Sequence, residues 1–234
     1  MCVAEADRLL DLVAGAMVLA AEAAVEARGE FHVALSGGTT PEPLYMRLVI
    51  DPRYRLWPWE RTHVWVVDER RVPHNDERSN WRLIHEALVA HVPVRARHLH
   101  PMPVEGEDPA MAYEGQLQRH LPGGRLDFVL LGMGTDGHTA SLFPHTPAAS
   151  EAERWVAVSE GPTVVPPSRV TMTYPLLNAS REVAVLVTGQ KKAATWRRVE
   201  AGGSSAAELP VLGVLPTDGG LTWFVDEVAA GGTL

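Results

Sequence analysis

The amino-acid sequence predicts an α/β fold with a largely parallel central sheet flanked by helices. Three observations support this fold class. Short apolar runs alternate along the chain with segments rich in helix-forming residues, which is the pattern of strand–helix units. Several of the apolar runs end in glycine-rich or charged segments, as expected where a buried strand leaves a sheet. Neither an internal repeat nor a long Gly/Ser/Pro linker divides the chain, so residues 1–234 are expected to form a single domain.

The first half of the chain begins with an Ala/Glu/Leu/Val-rich segment. Residues 4–28 predict a helix, and Gly29 follows at the position where glycine commonly ends one. The apolar run 31–35 predicts a strand, and Pro41 favours a helix start, because proline lacks the N–H that would have no partner there. Further predictions are a strand at 63–67, a helix that Ser79 caps and that continues to residue 88, and a helix at 109–120.

The second half continues the alternation. Its predicted strands are 127–131, 155–158, 169–173, 183–187, 211–215 and 221–225, and a helix at about 190–200 follows the fourth of them. In open parallel sheets, ligands bind outside the carboxyl ends of the strands. Four polar or glycine-rich segments are predicted to occupy that position: 36–40, 68–71, 132–138 and 189–192.

The composition is that of an ordinary globular protein. Hydrophobic residues make up 46% and charged residues 21% of the 234, which allows a sizeable core. The formal net charge of −8 argues against nucleic-acid binding, which needs a basic face. The alanine-rich stretch 9–25 contains Asp11 and Glu22 and lacks a basic leader, so neither a signal peptide nor a membrane span is expected. With Cys2 as the single cysteine and no Cys/His spacing typical of structural zinc, a cytoplasmic protein without a metal is expected.

The segment Ser36-Gly37-Gly38-Thr39-Thr40 is the first candidate site. Two glycines allow the backbone to approach an anion closely, and the N–H groups of the next helix start, with the hydroxyls, would hold a phosphate. The segment matches neither the Walker A pattern nor GxGxxG, which disfavours a nicotinamide-binding domain. An ordinary strand-to-helix turn is the alternative.

The second candidate is Asp68-Glu69-Arg70-Arg71. Neighbouring residues of an extended chain face opposite sides, so only some of these can reach one cleft. Arg70 could bind a phosphate or carboxylate through two hydrogen bonds, and Asp68 could orient an imidazole or accept a sugar hydroxyl. A solvated surface ion cluster is the alternative.

The third candidate is the loop that follows the strand at 127–131. It contains Gly132, Gly134 and Gly137 and ends at His138, whose imidazole can take up and return a proton near neutrality. The other nine histidines lack this context and are expected to be surface or packing residues. Ser141 follows closely, but no GxSxG motif surrounds it, which argues against a serine hydrolase.

Two cationic positions complete the candidates. Lys191 and Lys192 lie at a predicted helix start, where a positive charge is unfavourable unless an anion is near. Arg169 opens the predicted strand 169–173 and is a similar candidate. An exposed lysine pair is the alternative for Lys191 and Lys192.

Taken together, these motifs resemble the 6-phosphogluconolactonase family over residues 31–229. The resemblance rests on ALSGGT at 34–39, DER with Val72-Pro73 at 68–73, and above all GTDGHTASLFP at 134–144. It continues through RVTMT at 169–173, Leu177-Asn178-Ala179, Gly189 with KAA at 192–194, and WFVDE at 223–227.

The resemblance implies a three-layer α/β fold similar to glucosamine-6-phosphate deaminase and ribose-5-phosphate isomerase. It also implies hydrolysis of 6-phospho-D-glucono-1,5-lactone, the second step of the oxidative pentose phosphate pathway, without a metal or organic cofactor. His138 is then the expected general base and Asp68 an acidic active-site residue. The residues expected around the phosphate and the lactone are Ser36, Gly37, Gly38, Thr39, Arg70, Gly137, Arg169 and Lys192, with Lys191 a less well aligned alternative.

Two other functions stay open. A glucosamine-6-phosphate deaminase carries a related GxDGH stretch, but the Thr-Ala-Ser-Leu-Phe-Pro that follows His138 favours the lactonase. A noncatalytic sensor of a sugar phosphate would bind the product without accelerating lactone decay. The expected partner is a small phosphosugar lactone, with no nucleic acid or membrane, and the expected state is a monomer or weak homodimer.

Overall fold

The computed structural model describes residues 1–162 and 164–231. The α-helices in these ranges are α1 (Ala6–Arg28), α2 (Glu42–Ile50), α3 (Asn80–Ala87), α4 (Pro109–His120), α5 (Tyr174–Ala179) and α6 (Ala193–Ala201). The strands are β1 (Cys2–Ala4), β2 (Phe31–Leu35), β3 (Thr62–Val66), β4 (Asp68–Arg70), β5 (Leu99–His100), β6 (Phe128–Gly132), β7 (Val156–Glu160), β8 (Ser168–Met172), β9 (Glu182–Val187) and β10 (Gly220–Asp226).

Seven strands form one parallel sheet and three form a small antiparallel sheet. The large sheet has the order β1-β10-β9-β6-β2-β3-β5, and every neighbouring pair in it runs parallel. Every residue of β2 and β3 is buried, as expected for strands covered on both faces. The small sheet has the order β4-β8-β7. The predicted fold class, a three-layer α/β arrangement with a mainly parallel sheet, is therefore confirmed.

Helix α1 shows how the sequence sets its own boundaries. Leu9, Val13 and Met17 recur at a spacing of four residues and are buried, so one stripe of the helix packs on the core. Gly29 ends the helix in the left-handed conformation with φ of 83°, and its N–H donates to the Val25 carbonyl. The strand predicted at 31–35 and the helix predicted at 109–120 have these bounds in the structure.

One predicted strand, 211–215, is wrong. These residues overlap a short 3₁₀ helix at Pro210–Gly213. The Val211 N–H donates to the Gly137 carbonyl at 2.9 Å, and the Tyr174 hydroxyl donates to the Pro210 carbonyl at 2.7 Å. The segment therefore packs against the loop that carries His138 and pairs with no strand in the part of the chain that the structure describes.

Other elements have different bounds from the prediction or were not predicted. Gln190–Lys192 form a 3₁₀ turn ahead of α6. The strands β1 and β5 have three and two residues, too short for a recognisable apolar run. Residues 68–70 form a strand of the small sheet rather than a loop. Among the described helices, none combines the length and the apolar character needed to cross a membrane.

Candidate active site

A cavity of about 290 Å³ opens at the carboxyl ends of the parallel strands. It lies where β2 and β6 end, and the small sheet forms another part of its wall. The residues that line it are Ser36, Gly37, Gly38, Thr39, Thr40, Pro41, Asp68, Arg70, Asn80, Gly132, Met133, Gly134, Thr135, His138, Ala140, Arg169 and Lys192. Segments far apart in the sequence therefore meet around one space.

Larger grooves on the surface lack this chemistry. Grooves of about 540 Å³ and 840 Å³ lie along α2 with α3 and along α4 with β7, respectively. Neither contains His138 or a glycine loop at a strand end. We therefore place the candidate site in the smaller cavity, because catalytic groups and not volume define a site.

The glycine loop after β2 is held close to α3. A side chain at Gly37 would lie 2.7 Å from the Asn80 Cβ, so only glycine fits between the loop and the helix start. Gly38 has φ of 92°, a conformation that favours glycine. The Ser36 hydroxyl donates to the Leu130 carbonyl at 2.8 Å, so it joins β2 to β6 and has only its acceptor sites left for a ligand.

The side chains of β4 alternate between the two faces of the small sheet. Asp68 and Arg70 reach the cavity, whereas Glu69 points to the start of α3. There the Glu69 carboxylate accepts hydrogen bonds from the Asn80 and Trp81 N–H groups, both at 2.7 Å, and from the Ser79 hydroxyl at 2.9 Å. Burial raises the pKa of Glu69, and these hydrogen bonds oppose the rise. Glu69 thus caps a helix, and Asp68 is the carboxylate of the site.

Arg70 and Arg169 are direct cross-strand partners in the antiparallel pair β4–β8. Like charges directly opposite each other destabilise a sheet, so this pairing favours an anion between or beside them. Arg169 is buried, with its Nε donating to the Pro166 carbonyl at 2.9 Å and its Nη1 3.9 Å from the Asp68 carboxylate. Burial lowers the pKa of Arg169, and the Asp68 charge partly offsets this.

The loop after β6 presents His138. The His138 Nδ1 lies 2.6 Å from the Asp136 carboxylate, which also accepts the His138 backbone N–H at 3.1 Å. Burial disfavours the charged form of Asp136, yet the hydrogen bonds and the charge of His138 hold the Asp136 pKa below its usual value. An ionised carboxylate at Nδ1 keeps the proton on that nitrogen and leaves Nε2 free to accept one.

The glycines of this loop fix its shape. A side chain at Gly134 would overlap the His138 ring and lie 2.6 Å from the Asp136 carboxylate. Gly137 has φ of 85° and packs against Leu209. Gly137, predicted to contact the substrate, is outside the cavity lining. Its carbonyl instead accepts a hydrogen bond from the Val211 N–H, which holds the loop in place.

Lys192 lines the cavity, and Lys191 is exposed on the other side of the 3₁₀ turn. Burial lowers the pKa of Lys192, while the Asp136 carboxylate opposes this change. The choice of Lys192 over Lys191 therefore agrees with the geometry.

Two site residues escaped the sequence analysis. Asp136 contacts the imidazole of His138, whereas the sequence analysis considers Asp68 for this role. The sequence feature that indicates Asp136 is its position two residues before His138 in the same loop. Asn80 donates to the backbone carbonyl of Asp68 at 2.6 Å and lines the cavity, but α3 showed nothing that marked it. Within the described residues, no hydrogen bond joins Asp68 to His138; the Asp68 carboxylate instead accepts from the Ser141 hydroxyl at 2.6 Å.

Fold and cavity together define an α/β protein with a cavity that combines an imidazole with arginine and lysine side chains. The sequence places it more narrowly: residues 4–223 match the family described as glucosamine-6-phosphate isomerases/6-phosphogluconolactonase, and the chain belongs to that family. The resemblance seen in the sequence is thereby confirmed.

Individual relatives agree with this assignment. The chain is 40% identical over 231 residues to the GDH/6PGL endoplasmic bifunctional protein of Oryctolagus cuniculus, covering 95% of this chain and 29% of that one. It is 38% identical over 216 residues to a 6-phosphogluconolactonase of Synechocystis sp., covering 88% and 86%. The chain thus spans less than a third of the bifunctional relative. The crystal structure of 6-phosphogluconolactonase from Leishmania guyanensis aligns with a TM-score of 0.83 at 30% identity, covering 100% of this chain and 97% of that one.

Proposed function

We propose that the protein hydrolyses 6-phospho-D-glucono-1,5-lactone to 6-phospho-D-gluconate, the second step of the oxidative pentose phosphate pathway. The observation that carries the proposal is His138, held by Asp136 at 2.6 Å, in the lining of a cavity that Arg70, Arg169 and Lys192 also line. The family membership and the relatives named 6-phosphogluconolactonase support it.

In the proposed reaction His138 acts first as a base and then as an acid. Its Nε2 takes a proton from water while the water oxygen attacks the lactone carbonyl carbon. The tetrahedral intermediate then breaks the bond from that carbon to the ring oxygen, and Nε2–H returns the proton to the departing oxygen. The product acid ionises to the carboxylate. No covalent intermediate with the protein is needed.

The remaining residues of the cavity bind and orient the substrate in this proposal. Arg70 and Lys192 hold the phosphate, together with the N–H groups of Gly37, Gly38 and Thr39. Arg169 or a loop N–H stabilises the oxyanion. Asp68 sits next to Arg169 and faces the cavity, so it positions that guanidinium and accepts a hydroxyl of the sugar.

The test is acid release from freshly generated 6-phosphogluconolactone, with and without the protein, compared with unphosphorylated gluconolactone. We expect acceleration that is much larger for the phosphorylated lactone and that His138→Ala abolishes. Ammonia release from glucosamine 6-phosphate would indicate a deaminase instead. Product binding without any acceleration would indicate a sensor.

The location and assembly of the protein belong to the same proposal. We propose one catalytic domain, a monomer or weak homodimer, in the cytoplasm. Other relatives carry names with the words endoplasmic or chloroplastic, so the location needs its own measurement by fractionation.

A further inference from the structure

A cluster of histidines lies at the amino ends of the parallel strands, on the edge opposite the candidate active site. His32 and His63 are the second residues of β2 and β3, and His98 directly precedes β5. Along β2, His32 is four residues from Ser36 in the cavity wall, or about 13 Å at roughly 3.3 Å per residue. The cluster is therefore separate from the catalytic groups proposed above.

Ligand atoms of three side chains lie close together in this cluster. His63 is 5% exposed and His98 is 3% exposed. The buried atoms His63 Nε2 and His98 Nδ1 have no hydrogen-bond partner among the described residues. The Glu30 carboxylate lies 3.4 Å from His63 Nε2. Donor atoms of Glu30, His63 and His98 all lie within 4.8 Å of one another. Burying a ring nitrogen without a hydrogen-bond partner costs free energy, which suggests that these atoms bind a partner from outside the chain.

The neighbouring rings determine which nitrogens are available. The Trp65 indole N–H donates to His32 Nδ1 at 3.2 Å. A neutral His32 then carries its proton on Nε2, which lies 3.9 Å from the Glu30 carboxylate, so His32 offers no lone pair to a metal. His63 Nδ1 lies 3.0 Å from His100 Nε2. Donation from His63 to His100 leaves the lone pair of His63 Nε2 facing Glu30.

We propose that Glu30, His63 and His98 bind a zinc ion. Two imidazoles and a carboxylate are a common ligand set for Zn²⁺. In the tautomer in which His63 Nδ1 donates to His100, the contact is the outer hydrogen bond that zinc-binding histidines usually make.

Zinc binding requires the His98 ring to turn. Zinc–ligand bonds of about 2.0–2.1 Å place tetrahedral donors about 3.3 Å apart, which the pair His63–Glu30 already approaches at 3.4 Å. The rings of His63 and His98 stack with centroids 3.9 Å apart and planes at 19°, so the His98 ring must turn to aim Nδ1 at the same point. Because the Glu30 side chain is 43% exposed, water can complete the coordination.

Sequence spacing did not reveal this site. Glu30, His63 and His98 are separated by 33 and 35 residues, far from the short spacings of structural zinc motifs. Parallel strand order brings them together, because β2, β3 and β5 are neighbours with their amino ends aligned. The proposal therefore replaces the expectation of a protein without a metal.

The test is titration of the EDTA-treated, desalted full chain with ZnCl₂ by calorimetry, with CoCl₂ as a spectroscopic probe. We expect one zinc per chain and a visible Co²⁺ absorption band. Glu30→Gln and His98→Gln should each weaken zinc binding at least about 100-fold, since even outer contacts are worth 10–100-fold. Glu30 is partly exposed, so Glu30→Gln should fold normally and retain the lactone hydrolysis of the untreated protein.

Two matched controls make the result decisive. His120→Gln changes an exposed histidine whose ring centroid is 6.3 Å from that of His63, and should leave zinc affinity unchanged. His138→Gln removes the active-site imidazole and should also leave it unchanged. Retention of full affinity in Glu30→Gln and His98→Gln overturns the proposal. Zinc binding that only His138→Gln removes would likewise overturn it, because the metal would then sit in the catalytic cavity.

Discussion

The Asp136 carboxylate lies 2.6 Å from Nδ1 of His138, only two residues along the same loop. This contact determines which ring nitrogen faces the cavity with a free lone pair. In Asp136→Asn the amide N–H can donate to Nδ1, which moves the ring proton to Nε2 and removes the base. We expect kcat for the lactone to fall about 100-fold or more with little change in KM, as measured by pH-stat titration with the spontaneous rate subtracted.

A double-mutant comparison separates this role from a general loss of structure. If Asp136 acts only through His138, the combination of Asp136→Asn with His138→Ala should be no slower than His138→Ala alone. A further loss in the double variant would show that Asp136 contributes independently. Near-native kcat in Asp136→Asn would remove it from the mechanism.

The sequence predicted those parts of the site that have local signals. Glycines after apolar strands located the loops around Gly37 and His138, because strand ends of a parallel sheet meet at one edge. Alternation along an extended chain also predicted that only part of 68–71 would reach the cavity, and Asp68 and Arg70 do. These patterns depend on residues close together in the chain.

The rest depended on contacts between distant segments. Asn80 reaches the cavity because Glu69 caps α3 and pulls its first turn against the glycine loop. The predicted strand at 211–215 failed because Val211 bonds to the Gly137 carbonyl instead of to a strand. Neither contact leaves a periodic pattern in the sequence, so propensity alone could not find it.

Because Arg70 and Arg169 face each other across the β4–β8 pair, loss of Arg70 should weaken substrate binding without lowering the stability of the protein. Arg70→Met should raise KM for the phosphorylated lactone about 10-fold or more, because one guanidinium of the anion site is lost. The melting temperature should stay the same or rise, because Arg169 no longer faces a like charge across the β4–β8 pair. Arg71→Met is the matched control: Arg71 is exposed, adjacent in sequence and outside the cavity lining, so its KM should not change. Equal KM in both variants would place the phosphate elsewhere.

Lys192 predicts how product binding depends on pH. Burial lowers the Lys192 pKa, so the free protein loses this positive charge below the ordinary lysine value of about 10.4. Affinity for 6-phosphogluconate should therefore be full at neutral pH and fall as the pH rises into the alkaline range below that value. Calorimetry at a series of pH values measures it directly, and using the product avoids lactone decay.

Arginine substitutions test which lysine is responsible. Lys192→Arg should move the alkaline loss to higher pH, since a guanidinium keeps its charge up to about pH 12. Lys191→Arg, one residue away and exposed, should leave the profile unchanged. A profile that shifts only in Lys191→Arg would assign the anion contact to Lys191.

Gly37 predicts a packing conflict between the site and α3. A methyl group there would lie 2.7 Å from the Asn80 Cβ and overlap the rest of that side chain, so Gly37→Ala should destabilise the protein by about 1–3 kcal/mol and raise KM. Asn80→Gly removes the clash, so the double variant should regain much of the stability while keeping an altered KM, since Asn80 also lines the cavity.

Gly38→Ala is the contrasting control, because the space around Gly38 is open. Its loss of stability should come from the φ of 92° and should persist in the Asn80→Gly background. Denaturant unfolding of the three single and two double variants measures these differences, and a Gly37→Ala protein as stable as the parent would mean that the loop can move away from α3 freely.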